Sequence, residues 1–262
     1  MSSEGGRYVG AVRRAGSWLA AGFEEEEHAR TDVFADIGSL WAHYEERAER
    51  ILIDVPIGLI EDGRRPRRCE TLARSVLGER AGAVALTPVR EATRKRNAQA
   101  AKRVNQRKGG WALSERAFAR CEAIAAVDDL LGEITEARSV FRESHPELCF
   151  RAFAGAPLEY PPSVAAGYAE RMRALAEFDR DAPPTVQAVA EATGDHALPV
   201  EAVLAAVALG YTARPGPGRL RTLPADPPTD STGLRMAMAY RAAAPLPAEA
   251  GEADPSSDDE PR

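Results

Sequence analysis

Two short stretches carry side chains able to do chemistry together. The first is Ile53-Asp54-Val55-Pro56-Ile57-Gly58-Leu59, the second Glu143-Ser144-His145-Pro146-Glu147. Each places carboxylates just past an apolar run. Hard divalent cations such as Mg²⁺ or Mn²⁺ are held by oxygen ligands of this kind. Ions so held activate water and stabilise a leaving oxygen in phosphodiester cleavage. Asp54, Glu143 and Glu147 are therefore candidate metal ligands. Asp54, Glu143 and His145 are candidate catalytic groups, with His145 as a proton shuttle whose ordinary pKa is about 6.5.

Each residue also has a structural role open to it. Asp54 can accept hydrogen bonds from the turn at Pro56–Gly58, and Glu143 can pair with Arg74 or Arg65. Glu147 follows Pro146, a residue suited to the first helical position, where an acid favours the helix dipole by about 0.3–1 kcal/mol. His145 can pack at the start of that helix.

A second kind of chemistry is suggested by residues 90–108, which hold eight bases against the single acid Glu91. Arg94, Lys95, Arg96, Lys102 and Arg103 are candidates for contact with a nucleic-acid backbone. Trp111 can stack on a base or anchor the next helix. A solvated helix balancing acids elsewhere is the alternative. No phosphate-binding glycine loop of either common type occurs.

The elements that must position these groups follow from hydrophobic periodicity. Tyr8–Arg13 and Trp18–Phe23 read as strands joined by a turn at Arg14–Ser17. The acidic run Glu24–Glu27 reads as a loop and Val33–Ile37 as a weak third strand. Leu40, Trp41, Tyr44 and Ala48 fall at helical spacing. Ile51–Val55 reads as a central buried strand, because a continuous apolar run suits a strand covered on both faces. A helix over Cys69–Leu77 stops at Gly78. Ala83–Leu86 reads as a short strand, and residues 90–108 and 114–134 as two helices. Val140–Glu143 reads as a strand. Helices are expected from Pro146, over Val164–Phe178, over Thr185–Thr193 and over Val200–Ala213. Leu220–Leu223 and Met236–Tyr240 are expected to pair as a late hairpin. Strands alternating with helices predict an α/β fold, a mixed sheet flanked by helices. Ligands in such sheets sit at the carboxyl ends of strands.

The 262-residue chain carries a net charge of −6, largely from its end. Residues 244–262 hold six acids and one base, so the remainder is close to neutral at −1. One domain over residues 1–243 and a disordered acidic tail over 244–262 are expected. Arginine outnumbers lysine 31 to 3, which a compositional bias explains. Cys69, Cys121 and Cys149 are odd in number and widely spaced, as reduced cytoplasmic thiols are. No apolar run is long enough for a membrane span.

The same segments carry a resemblance. ILIDVPIGL, Arg68-Cys69-Glu70 with Ala73-Arg74 and Leu77-Gly78, SHPELCF (Ser144–Phe150), Leu223-Pro224-Ala225-Asp226 and Gly233-Leu234 occur in the order found in domain-of-unknown-function family 429. The chain resembles that family of predicted nucleases from about Tyr8 to Tyr240. The resemblance implies an RNase H-like mixed sheet with helical insertions and a metal-dependent nuclease activity. The chain departs from the family at two corners of the implied site. Val12-Arg13 stands where a first-strand aspartate and glycine are usual, and Ala202 and Ala205 stand where the late helix has acids. Glu70 or Glu201 would then have to supply a missing ligand. Two functions follow: a metal-dependent phosphodiesterase, or a non-catalytic relative that binds nucleic acid or a protein. The substrate and the oligomeric state are left open.

Overall fold

The structure is a computed structural model describing residues 7–196 and 198–247. Strand β1 (Tyr8–Arg14) turns through Ala15 and Gly16, both at positive φ, into β2 (Ser17–Glu24). Two residues at positive φ suit a tight hairpin, because their twist matches that of the strands. A second tight turn leads into β3 (Glu27–Phe34), antiparallel to β2. The acidic run expected as a loop is therefore the tip of this hairpin, and the third strand precedes its expected place at Val33–Ile37. Strand β3 lies at the sheet edge and has no fully buried residue, so it lacks the apolar signature of an inner strand. Helix α1 (Ile37–Tyr44) is capped by Asp36, whose carboxylate accepts from the Ser39 N–H at 2.7 Å. Strand β4 (Arg50–Ile53) then runs parallel to β1.

A long helical insertion follows. It comprises α2 (Arg68–Leu77), a 3₁₀ segment at Gly78–Ala83, α3 (Arg90–Thr93), α4 (Ala98–Lys108), α5 (Glu115–Phe118), α6 (Cys121–Glu133) and α7 (Thr135–Val140). The expected strand at Ala83–Leu86 does not form. The two long helices expected here are each broken. Asn97 leaves the first to cap α4, accepting from the Ala100 N–H at 2.8 Å, and short polar side chains favour such caps over helix interiors. The second is interrupted at Ala119–Arg120. The chain returns as β5 (Phe141–Glu143), parallel to β4.

After β5 come α8 (Pro146–Ala154), α9 (Ala165–Phe178), α10 (Ala182–Ala192) and α11 (Val200–Ala213). Helix α10 starts earlier than its expected Thr185, with proline in its first turn, where the missing N–H costs nothing. Strands β6 (Arg219–Leu223) and β7 (Met238–Ala242) pair antiparallel as expected. They form a separate two-stranded sheet, joined to β5 by the Ser144–Ala239 bridge. The main sheet has the order β3-β2-β1-β4-β5. The expected α/β class, a mixed sheet flanked by helices, is the one adopted. Among the described residues no helix is long and apolar enough to cross a membrane.

Alternating side chains separate two cores. Val12, Leu19, Phe23 and Leu52 pack with α8 to α11, whereas Val9, Trp18, Ile51 and Ile53 pack with α1, α6 and α7. Helix α11 is buried over every residue from Ala202 to Ala213, as expected of a helix apolar all round. Leu246 is also buried and its N–H donates to the Tyr240 hydroxyl, so the packed chain reaches past the expected boundary at residue 243. The rest of the expected tail lies outside the described residues.

Helix α11 lies so close to β1 that a Cβ on Gly10 would stand 2.1 Å from the Gly210 nitrogen and 2.2 Å from the Ala206 oxygen. Both are backbone atoms and cannot rotate away. Gly10→Ala is expected to destabilise the protein by about 2–3 kcal/mol or more through overpacking. Urea unfolding of the variant and wild type measures this; a change within experimental error would contradict the contact.

Candidate functional site

The carboxyl ends of three parallel strands converge. Strand β1 delivers Arg13 and Arg14, β4 delivers Asp54, and β5 leads to His145. Together with the 3₁₀ segment, α5, and the starts of α8 and α11, they enclose a crevice of about 550 Å³. Six arginines line it (Arg13, Arg14, Arg80, Arg116, Arg120 and Arg171) against the three acids Asp54, Glu147 and Glu201.

Asp54 is buried, and both its carboxylate oxygens are taken. One accepts from the Arg13 backbone N–H at 3.2 Å, the other from the Arg14 guanidinium at 2.6 Å. The Arg120 guanidinium donates to its main-chain carbonyl. Burial alone would raise the pKa of this carboxyl, but Arg14 and Arg120 outweigh it and hold the group below the usual carboxylate range. Asp54 does not serve the Pro56–Gly58 turn.

Glu143 is the acid that serves that turn, accepting from the Ile57 N–H at 2.8 Å. Its side chain does not line the crevice. Glu143 lies opposite Ile53 in the β4–β5 register, so Asp54, one residue further on, points to the other face of the sheet. Glu143 instead forms a two-pronged pair with the buried Arg67, at 2.5 and 2.8 Å. That partner is neither Arg74 nor Arg65. Arg67 also bonds Glu70 at 3.0 Å and the carbonyls of Ile57 and Gly58. The pair thus pins the segment that follows Asp54 onto β5.

Glu147 does line the crevice, but Arg171 grips both its oxygens at 2.6–3.0 Å. His145 caps α8, its Nδ1 accepting from the Glu147 N–H at 3.2 Å. Burial, reinforced by Arg120, lowers its pKa to about 3 despite the opposing pull of Asp54. The imidazole is neutral at physiological pH.

This arrangement does not fit Mg²⁺ or Mn²⁺. Among the described residues no three His, Cys, Asp or Glu side chains assemble as a metal-holding group. Val12, one residue past the Ala11–Ile53 pair and so beside Asp54, is fully buried in the core that also contains Ala202 and Ala205. Glu70 does not line the crevice, and its Oε1 accepts from Arg67 and from the Thr87 N–H. Glu201 lines the crevice, but Arg14 already occupies the place beside Asp54. A guanidinium thus stands where a hard cation would have to bind.

The basic segment is partly neutralised. Arg94 pairs with Asp128 and Asp129, Lys95 with Glu91, and Lys102 with Glu115. Arg96 and Arg103 are exposed and without such a pair among the described residues. Trp111 is partly buried, packing on the Val89–Ala92–Val104 cluster. The three cysteines are buried free thiols.

The crevice arginines were not singled out from the sequence, where a general excess of arginine masks them. One signal was present: Arg13 and Arg14 abruptly end an apolar strand, and a charge pair there marks its carboxyl end.

Fold and site define an α/β protein with an arginine-lined crevice at the carboxyl ends of its parallel strands, anchored by one buried aspartate. The chain belongs to the family described as protein of unknown function DUF429, which it matches over residues 13–229. No curated protein and no solved structure matches it.

Two outcomes follow from these contacts. Arg67→Met would leave Glu143 buried without its counter-charge and is expected to cost about 3–5 kcal/mol in urea unfolding. A loss under about 1 kcal/mol, the range of an exposed pair, would show that the pair is not buried. The depressed His145 pKa means that the unfolded chain takes up this proton first as pH falls. Its contribution is fully present above about pH 6.5 and is lost as pH falls toward 3. His145→Asn, which can still cap α8, should flatten the fall of melting temperature between pH 6.5 and 4. An unchanged slope would place the His145 titration elsewhere.

Proposed function

We propose that this protein binds a single strand of nucleic acid along its arginine-lined face and does not cleave it through a metal at Asp54. The observation that carries this is a chain of adjoining hollows in which bases outnumber acids. The crevice meets a second hollow at Ala119, lined by Arg94, Lys95 and Arg96 against Glu122 and Asp129. That hollow shares Lys95 with a third, which shares Arg103 and Arg107 with a fourth that also includes Lys102. A chain whose body is near neutral has therefore gathered cations along one path.

Such a path suits repeated phosphates better than one small anion. Phe118 lines the second hollow, and single-strand binders combine a positive groove with aromatic faces. In the crevice, Arg116 reports the positive potential: burial first, then Arg120, Arg14 and Arg80, lower its pKa. Asp54 and Glu147 act here as positioning groups, holding Arg14 and Arg171. The nuclease activity implied by the family resemblance would require at least Asp54 to exchange its arginine for a metal.

Fluorescence anisotropy with single-stranded RNA, single-stranded DNA and duplex oligonucleotides tests the proposal. Single strands should bind more tightly than duplex. The slope of log affinity against log salt should be about −3.5, as about five phosphate contacts give. Arg96→Glu with Arg103→Glu should weaken binding across all sequences and shallow that slope by about 0.7 per lost contact. Absence of binding, or binding indifferent to salt and to both changes, would remove the reading. Mn²⁺-dependent cleavage abolished by Asp54→Asn would replace it with the phosphodiesterase.

A further inference from the structure

A second cavity, of about 200 Å³, lies along β5, the edge strand of the main sheet, where β6 and β7 approach it. Its wall is apolar, formed by Ile57, Leu131, Phe141 and Leu234. Three arginines also line it, Arg138, Arg142 and Arg235. Unlike Arg13, Arg14, Arg80 and Arg171 of the crevice, none of the three pairs with a carboxylate among the described residues. Arg138 donates to the carbonyls of Leu131, Gly132 and Thr232, and Arg142 to those of Arg138 and Phe141. Arg235 is exposed. The acid that lines the cavity, Glu143, has both oxygens committed to Arg67 and the Ile57 N–H.

Arginines gathered without a counter-ion around an apolar hollow form an incomplete electrostatic arrangement. Burial, together with Arg50 and Arg235, lowers the pKa of Arg142, the mark of a cation that would gain from an anion. A ligand filling this space must pair one negative charge with an apolar body. Pockets of this kind use a mostly apolar wall for affinity and a few polar groups for orientation. A flat or forked carboxylate also matches a guanidinium better than a spherical anion does.

We infer that this cavity is a binding site for a small aromatic or branched aliphatic monocarboxylate, with its carboxylate at Arg142 and Arg235 and its body against Phe141, Leu131 and Leu234. About 200 Å³ limits the occupant to roughly ten non-hydrogen atoms, taking about 20 Å³ for each at interior packing density. The site is independent of the nucleic-acid proposal, because it shares no lining residue with the crevice.

The test is isothermal titration calorimetry of the full chain with phenylacetate, phenylacetamide and acetate. Phenylacetate should bind saturably with one-to-one stoichiometry and at least tenfold more tightly than either the uncharged amide or acetate. Arg142→Met should weaken it at least tenfold. Arg235→Glu, a change at an exposed position that leaves packing intact, should also weaken it severalfold. Both variants should leave oligonucleotide anisotropy unchanged. Equal binding of acid and amide, no saturable binding up to several millimolar, or phenylacetate affinity unaffected by Arg235→Glu would overturn the assignment.

Discussion

Side chains alternate across a sheet, so the parallel pairing of Ile53 with Glu143 decides which acids can meet. It places Asp54 and Glu143 on opposite faces of the β4–β5 pair. From that one register follow the crevice at the strand ends, the buried Arg67–Glu143 clamp beneath the Pro56–Gly58 turn, and the second cavity beside β5. A shift of one residue would reverse both faces and bury a charge in the apolar core.

Burial explains why arginine dominates both sites. A carboxylate taken out of water needs a counter-charge and several donors, and a guanidinium supplies five N–H groups in a fixed plane. Arg67 and Arg171 each join a buried acid to main-chain carbonyls, tying separate segments together. Arg14 does the same for Asp54 at the crevice floor, with Arg13 lending its backbone N–H. Arginine is thus a structural cross-link where it meets an acid and a candidate ligand contact where it does not.

The two cavities illustrate that distinction. Asp54 and Glu147 in the crevice are paired with Arg14 and Arg171, which leaves the surplus arginines, above all Arg116 and Arg120, to set the sign of the potential. The smaller cavity has an apolar wall, and Arg138 and Arg142 there bond only carbonyls, whose partial charge does not neutralise a guanidinium. Charge on the connecting helices is mixed by Glu91, Glu115, Asp128 and Asp129, so the basic track is set by geometry rather than by a count of bases.

Periodicity and turn chemistry were enough to reveal β1, β2, β4, α2, the helix from Pro146 and the apolar α11, because each depends on a local pattern. They also reveal that Asp54 is an unusual charge in a buried strand; that Val12, Ala202 and Ala205 stand in place of acids is implied only by the family resemblance. The edge strand β3 was misplaced because an edge needs little apolar surface. The breaks at Arg94–Asn97 and Ala119–Arg120 were missed because helical spacing continues across them. The partners of Asp54, Glu143 and Glu147 could not be read from the chain. Arg67 lies 76 residues from Glu143 and Arg171 lies 24 from Glu147, and 31 arginines compete for the same acids in one dimension. Strand register and long-range packing made the choice, since only the folded sheet brings each pair within hydrogen-bond distance and out of water.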